Sequence, residues 1–363
     1  MLQIGIVGLP NVGKSTLFNA LTKSKQANAQ NFPFCTIEPN VGIVEVPDTR
    51  LAPLAEVAKS GRIIPTAIEF VDIAGLVQGA SEGAGLGNKF LAHIREVNAI
   101  AQVVRAFSDE NVIHVCNRVD PVDDAQIIGL ELILADLATA TKRRDVTRGK
   151  AKGANAKEFE KELALLDELI LHLEQEKPAR QLVVEDEDKR TIVKELCLLS
   201  AKPMLYVVNC DEAMQDVSAT VAALKAHDSA AEVITVSAKL EAELVDLSSE
   251  DAAMLLSEAG MNESGLDKMI RAGYQLLKLQ TYFTAGEMET RAWTVPANTF
   301  APDAAGVIHT DFVKKFVKAD ITNWEHFVSQ RGWSGVRESG KLQLVGRDYI
   351  IKDGDVCYFH IAS

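Results

Sequence analysis

The segment Gly8-Leu9-Pro10-Asn11-Val12-Gly13-Lys14-Ser15-Thr16 has the spacing G-x-x-x-x-G-K-[ST]. It lies between an apolar run over residues 2–7 and a helical pattern over 15–23, the context such a loop requires. The two glycines let successive backbone N–H groups turn toward phosphate oxygens, and the helix N-terminus adds partial positive charge. Asn11, Val12, Gly13, Lys14, Ser15 and Thr16 are therefore the candidate phosphate-binding residues. Lys14 reaches the β- and γ-phosphates, and the Ser15 hydroxyl is placed to ligate Mg²⁺. A chain with this loop near its start must build a strand–loop–helix unit on a mostly parallel sheet.

The rest of the first 120 residues agrees. Runs over 42–46, 63–71 and 100–107 have strand length and branching, with helical patterns over 51–60 and 88–98 between them. This alternation predicts a doubly wound, mostly parallel α/β sheet covered on both faces. The pattern then breaks. Leu130, Ile133, Leu134 and Leu137 recur at helical spacing, as do Leu163, Leu166, Ile170 and Leu173; a polar stretch with Gly149 and Gly153 separates them. The expectation is an antiparallel helical arm over 129–200, its tip near 145–155, reaching on the order of 30 Å. Strands resume at 204–209 and 233–236, and a helix over 264–279 closes the domain formed by 1–128 and 201–279. Residues 280–363 contain all three tryptophans (Trp293, Trp324, Trp333) and read as a small α+β module, with strands at 292–295, 342–345 and 356–361 and a helix near 311–317.

Further residues fit nucleotide chemistry. Asp72-Ile73-Ala74-Gly75 matches D-x-x-G at a strand end, where Asp72 can hold Mg²⁺ and the Gly75 N–H can meet the γ-phosphate. Thr36 is the candidate switch threonine completing the Mg²⁺ shell, with an ordinary loop threonine as the alternative. Asn209-Cys210-Asp211-Glu212 stands where guanine-binding proteins place N-K-x-D. Cys210 replaces the lysine that packs along the base, and Glu212 replaces the aspartate that reads guanine. Without that matched acceptor, guanine discrimination loses its basis, so ATP is expected to bind at least as well as GTP. Ser237-Ala238-Lys239 matches the S-A-K loop beside the base. Leu76 occupies the position where many switch NTPases carry a water-orienting glutamine, so intrinsic hydrolysis should be slow. Asn11 could help bind K⁺ near the phosphates. His114, in Val112-Ile113-His114-Val115, is either a structural histidine or the group that positions water.

Together, 8–16, Asn31-Phe32-Pro33-Phe34-Cys35-Thr36, Asp72–Leu76 and Gly87-Asn88-Lys89-Phe90-Leu91 resemble the Obg-related P-loop proteins. With 209–212 in the base motif, the chain resembles the YchF group of Obg-like ATPases. Residues 291–293 and 301–312 look like that group's TGS domain. The resemblance implies an ATP-preferring P-loop domain, a coiled-coil arm, a ubiquitin-like β-grasp TGS module and a role in translation or stress responses at the ribosome. It also places His114 at the proposed catalytic position, with Lys14, Ser15, Thr36 and Asp72 on phosphate and Mg²⁺.

The arm tip carries Lys142, Arg143, Arg144, Arg148, Lys150, Lys152 and Lys157 against Asp145 alone, in a chain of net charge −13. A local basic patch on an acidic protein suits rRNA backbone contact, with a solvated helical tip as the alternative. No apolar run approaches the ~20 residues of a bilayer span. The N-terminal residues lack a secretory pattern, and the five cysteines form no C-x-x-C pair, so a cytoplasmic protein without membrane partners is expected; a monomer is expected as well. Two rival classes are a ribosome-binding adaptor whose nucleotide is only structural, and a small-molecule P-loop kinase.

Overall fold

Ile4, Ile6 and Val7 are fully buried, as befits the strand that carries them, β1 (Gln3–Gly8), which has a parallel neighbour on each side. The later strands are β2 (Val41–Glu45), β3 (Ile63–Ile64), β4 (Ala67–Asp72), β5 (Ala99–Arg105), β6 (Met204–Asn209) and β7 (Glu232–Val236). The computed structural model describes residues 2–24, 40–73, 87–109, 112, 118–151, 156–211 and 217–362. These form two compact units, one from 2–24, 40–42 and 69–273, the other from 43–68 and 274–362.

In the first unit the strand order is β4-β1-β5-β6-β7, with the start of β2 beside β4. The β4–β1, β1–β5, β5–β6 and β6–β7 pairs are all parallel, which is the doubly wound sheet expected. All six residues of β6 are buried, as a strand inside such a sheet requires. The expected single strand over 63–71 is instead two, β3 and β4. Pro65 lies between them and has no N–H to donate to a continuous ladder.

The arm starts earlier than its apolar periodicity suggested. Asp120 caps a 30-residue helix, Pro121–Lys150, by accepting from Val122 N and Asp123 N at 3.1 Å, with Pro121 in the first turn. At 1.5 Å per residue this helix is about 45 Å long. A second helix, Ala156–Glu174, returns along it, and Ile133, Ala140, Leu169, Ile170 and Leu173 form the seam. Buried Asp136 accepts from Leu199 N, Ser200 N and Ser200 Oγ at 2.7–2.8 Å, tying the first arm helix to the segment that enters β6.

The second unit is a six-stranded mixed sheet. Its later strands are β8 (Leu279–Ala285), β9 (Thr290–Pro296), β10 (Phe316–Asn323), β11 (Gln343–Val345) and β12 (Asp355–Ile361), in the order β11-β10-β12-β8-β9-β3. Side chains alternate across a strand, so adjacent Tyr282 and Phe283 enter different cores. Tyr282 packs with Val295, Phe316 and the alanines of the helix Ala301–Ile308. Phe283 packs with Leu51, Leu54, Phe327 and Val336. The helix Leu51–Ala58 therefore covers the second face of this sheet, and β3 adds to its edge through Ile63↔Thr290 and Ile64↔Arg291. Sequence order alone kept 43–68 with the N-terminal residues. The expected helix at 311–317 stops at Lys315, where β10 begins. No helix among the described residues is long and apolar enough to cross a membrane.

Candidate functional site

The phosphate loop joins β1 to the helix Lys14–Ser24. Two residues turn it through the left-handed region, Asn11 at φ 65° and Gly13 at φ 92°, conformations that asparagine tolerates and glycine adopts without strain. Gly13 has a second constraint. A Cβ there would collide with Asn209 Nδ2. That side chain comes from the end of β6 and has both polar atoms engaged: Nδ2 donates to Val12 O at 2.9 Å, and Oδ1 accepts from Ala238 N at 2.9 Å. One buried amide thus ties the phosphate loop to the Ser237–Lys239 loop. Ser237 in turn caps the helix Ala238–Leu244 through Leu240 N.

Lys14, only 9 % exposed, is ion-paired with Asp72 at the end of β4. The parallel β1–β4 register sets Ile6 beside Asp72, which brings the carboxylate to the phosphate loop. Ser15 is solvent-exposed at the first turn of the same helix. A hydroxyl and a carboxylate are hard oxygen ligands suited to Mg²⁺, and the Lys14–Asp72 contact shows that the carboxylate reaches the phosphate loop. The donor set fits the ion.

Beside the loop lies a cavity of about 540 Å³, lined by residues that include Gly13, Thr16, Phe107, Asn209, Cys210 and Ala238. That volume is within the range of small-molecule sites. Asn209, Cys210, Ser237 and Ala238 thus meet at one cavity edge. Cys210 is buried, its Sγ donating to Val236 O at 3.5 Å, and burial pushes its thiol above the usual range. It contributes a neutral apolar wall. Asp211 Oδ2 accepts from Ser108 N at 3.4 Å. Phe107, Ser108 and Asp109 were missed as lining residues. Their signal was positional: β5 neighbours β6, so the loops after these strands open on the same side of a parallel sheet. Thr36, Gly75, His114, Glu212 and Lys152 lie outside the described residues.

The chain is similar along nearly its whole length to curated proteins named "Ribosome-binding ATPase YchF". The Bacillus subtilis protein is 50 % identical over 99 % of this chain and 98 % of its own. The Escherichia coli O157:H7 protein is 49 % identical over 98 % of each. The chain belongs to the YchF family. The "Structure of the Schizosaccharomyces pombe YchF GTPase" matches this YchF-family fold at a TM-score of 0.91 with 37 % identity, covering 99 % of this chain and 97 % of that one. Within the YchF framework, residues 3–130 match the family described as "50S ribosome-binding GTPase". Residues 279–362 match the YchF GTPase C-terminal family, described as a protein of unknown function (DUF933).

The charge of this YchF arm differs from the count along the sequence. Arg143 pairs with Glu162 at 2.7 Å, and Arg144 and Arg148 both face Asp167 at 3.5 and 3.8 Å. These carboxylates belong to the returning helix, so the three tip arginines are partly neutralised from within the hairpin. Lys142 and Lys150 are exposed, and among the described residues no carboxylate pairs with either.

Proposed function

We propose that this protein is a cytoplasmic, monomeric ATPase that binds the ribosome and hydrolyses ATP slowly, with GTP the poorer substrate, as a nucleotide-dependent regulator of translation or stress response. The observation that carries the reading is Asn209, whose single amide holds the phosphate loop and the base-side loop at one cavity. Lys14 and the backbone N–H groups of residues 11–16 bind the triphosphate, while Ser15, Asp72 and Thr36 hold Mg²⁺. The metal supplies charge neutralisation on the phosphoryl oxygens. Asn11 additionally supports K⁺ beside the phosphates, and the Gly75 N–H meets the γ-phosphate. Because Leu76 cannot orient water, His114 takes that role. The relatives' printed names supply the ribosome as partner. The domain division proposed for this activity starts from 1–128 with 201–279 for nucleotide, 129–200 for the arm and 280–363 for the TGS module, with 43–68 reassigned from the first to the last and the arm extended back to Pro121.

The preference for adenine follows from the base wall. Guanine presents N1–H and an N2 amine that need a short matched carboxylate, whereas adenine presents an acceptor at N1. Cys210 is committed to Val236 O, and Glu212 is one methylene longer than the guanine-reading aspartate. Paired ATP and GTP titrations of the purified protein, with and without ribosomes, should give the lower Kd for ATP. The double variant Cys210→Lys with Glu212→Asp should shift the ATP/GTP ratio toward GTP by about tenfold or more. An unchanged ratio would refute the base assignment.

We infer contact between the arm tip (Lys142, Arg143, Arg144, Arg148, Lys150, Lys152) and rRNA, with the lysines contributing most. Each neutralised phosphate adds roughly −0.7 to −0.9 to the slope of log K against log salt. Lys142→Glu with Lys150→Glu should weaken ribosome binding in sedimentation assays and flatten the slope by about 2. A double variant with an unaltered slope would remove the tip from the interface.

A further inference from the structure

Arg105 is 2 % exposed at the last position of β5, in register with Asn209 of β6. Its guanidinium is spent on one loop. Nε donates to Phe107 O at 3.1 Å, Nη1 to Val112 O at 2.8 Å and Nη2 to Asp109 O at 3.2 Å. The same group stacks over the Phe107 ring, 4.3 Å from its centroid. The carbonyls of Phe107, Asp109 and Val112 thus converge on one planar fork, a geometry that lysine, a point charge on a flexible stem, cannot reproduce. The segment is also pinned from β6, since Ala106 N donates to Asn209 O at 2.8 Å and Ser108 N to Asp211 Oδ2.

We propose that Arg105 is a positioning residue for the nucleoside: by clamping the carbonyls of Phe107, Asp109 and Val112 it fixes the 107–109 wall of the cavity in which the base sits. This rests on the reading of that cavity as the base site. Arg105 acts through the wall, which Phe107, Ser108 and Asp109 form, and the phosphate loop lies on a different strand. Its effect should therefore fall on the nucleoside half of the ligand and leave the triphosphate half alone. An arginine that only stabilised the domain would affect both halves together.

The test compares two ligands on the full-length protein. KM for Mg-ATP is measured alongside inhibition of hydrolysis by Mg-tripolyphosphate, which has the phosphates and no base. Wild type should bind ATP more tightly than tripolyphosphate. Arg105→Lys should raise the ATP KM by about tenfold or more, leave the tripolyphosphate Ki within about twofold and lower kcat less than KM rises. Should Arg105→Lys fail to fold by circular dichroism, Phe107→Leu removes the stacked ring and serves in the same comparison, with a smaller loss confined to ATP. Parallel losses for both ligands, or an unchanged ATP KM, would overturn the proposal. If wild type did not distinguish ATP from tripolyphosphate, the base-site reading itself would fail and the role of Arg105 with it.

Discussion

Lys14→Ala should lower kcat for ATP hydrolysis by about 10²–10³-fold, the usual cost of deleting one preorganised group that meets developing charge, while the sheet stays folded. The structure adds a partner to this expectation. The ammonium is held by Asp72, so on the proposed reading nucleotide takes the lysine from the carboxylate and frees that carboxylate for Mg²⁺. Asp72→Asn therefore separates two effects that Lys14→Ala merges. It removes the competitor for the lysine, so affinity for metal-free ATP should hold or rise. It also removes a hard anionic ligand, so the Mg²⁺ concentration for half-maximal turnover should increase by about tenfold or more. Steady-state hydrolysis across a Mg²⁺ titration, with ATP binding followed in EDTA, checks both. An Asp72→Asn protein with wild-type Mg²⁺ dependence would mean that Asp72 serves only to park the lysine.

What could be read along the chain and what could not divide by sequence distance. The phosphate loop is local chemistry: two glycines, a lysine and a hydroxyl at fixed spacing between an apolar strand and a helix. Asn209 was legible for the same reason, standing at a strand end with a recognisable neighbour set. Its bond to Val12 O is set by the packing of β1, β5 and β6, which no local pattern states. The loop 107–109 was invisible as a site because nothing in Phe107-Ser108-Asp109 resembles a ligand-binding motif. It becomes a wall only through the β5–β6 pairing and the Arg105 clamp. The helix Leu51–Ala58 was legible as a helix, and its apolar face as a packing face. The partners Phe283, Phe327 and Val336 lie more than 220 positions away, so its membership of the second unit was not. In the arm, periodicity marked the seam, but Asp120-Pro121, a cap followed by a first-turn proline, marked the true start. Charge counted along 142–157 missed Glu162 and Asp167, which reach the tip arginines only after the hairpin folds.

The largest stability effect should come from the ion pair behind the arm. Arg180 and Asp228 have side chains 9 % and 1 % exposed. Arg180 Nε donates to Asp228 Oδ2 at 2.8 Å and Nη1 to Ser200 O at 3.0 Å, while Gln181 Nε2 and Ala230 N donate to Asp228 Oδ1 at 3.0 and 3.2 Å. Burial alone would push the Asp228 carboxyl up, but the Arg180 charge and these hydrogen bonds outweigh it and hold it below the usual carboxylate range. In wild type, the Asp228 contribution is therefore present above the unfolded carboxylate pKa of about 3.9 and lost as pH falls through the lower folded value. Arg180→Ala strands the carboxylate and should cost roughly 3–5 kcal/mol at pH 7.5. In that variant burial acts without its counter-charge, the folded pKa of Asp228 rises, and protonation relieves the stranded charge. The difference from wild type should accordingly shrink between pH 7.5 and pH 4.5. Arg180→Met with Asp228→Leu removes both charges and should recover most of the loss, since a buried pair and an apolar pair of similar volume are close in energy. Urea unfolding must be followed by far-UV circular dichroism, because Trp293, Trp324 and Trp333 all lie in the second unit and report on the other half of the molecule. A pH-independent loss in Arg180→Ala, undiminished in the double variant, would place the effect in packing around the arginine stem and not in the unpaired charge.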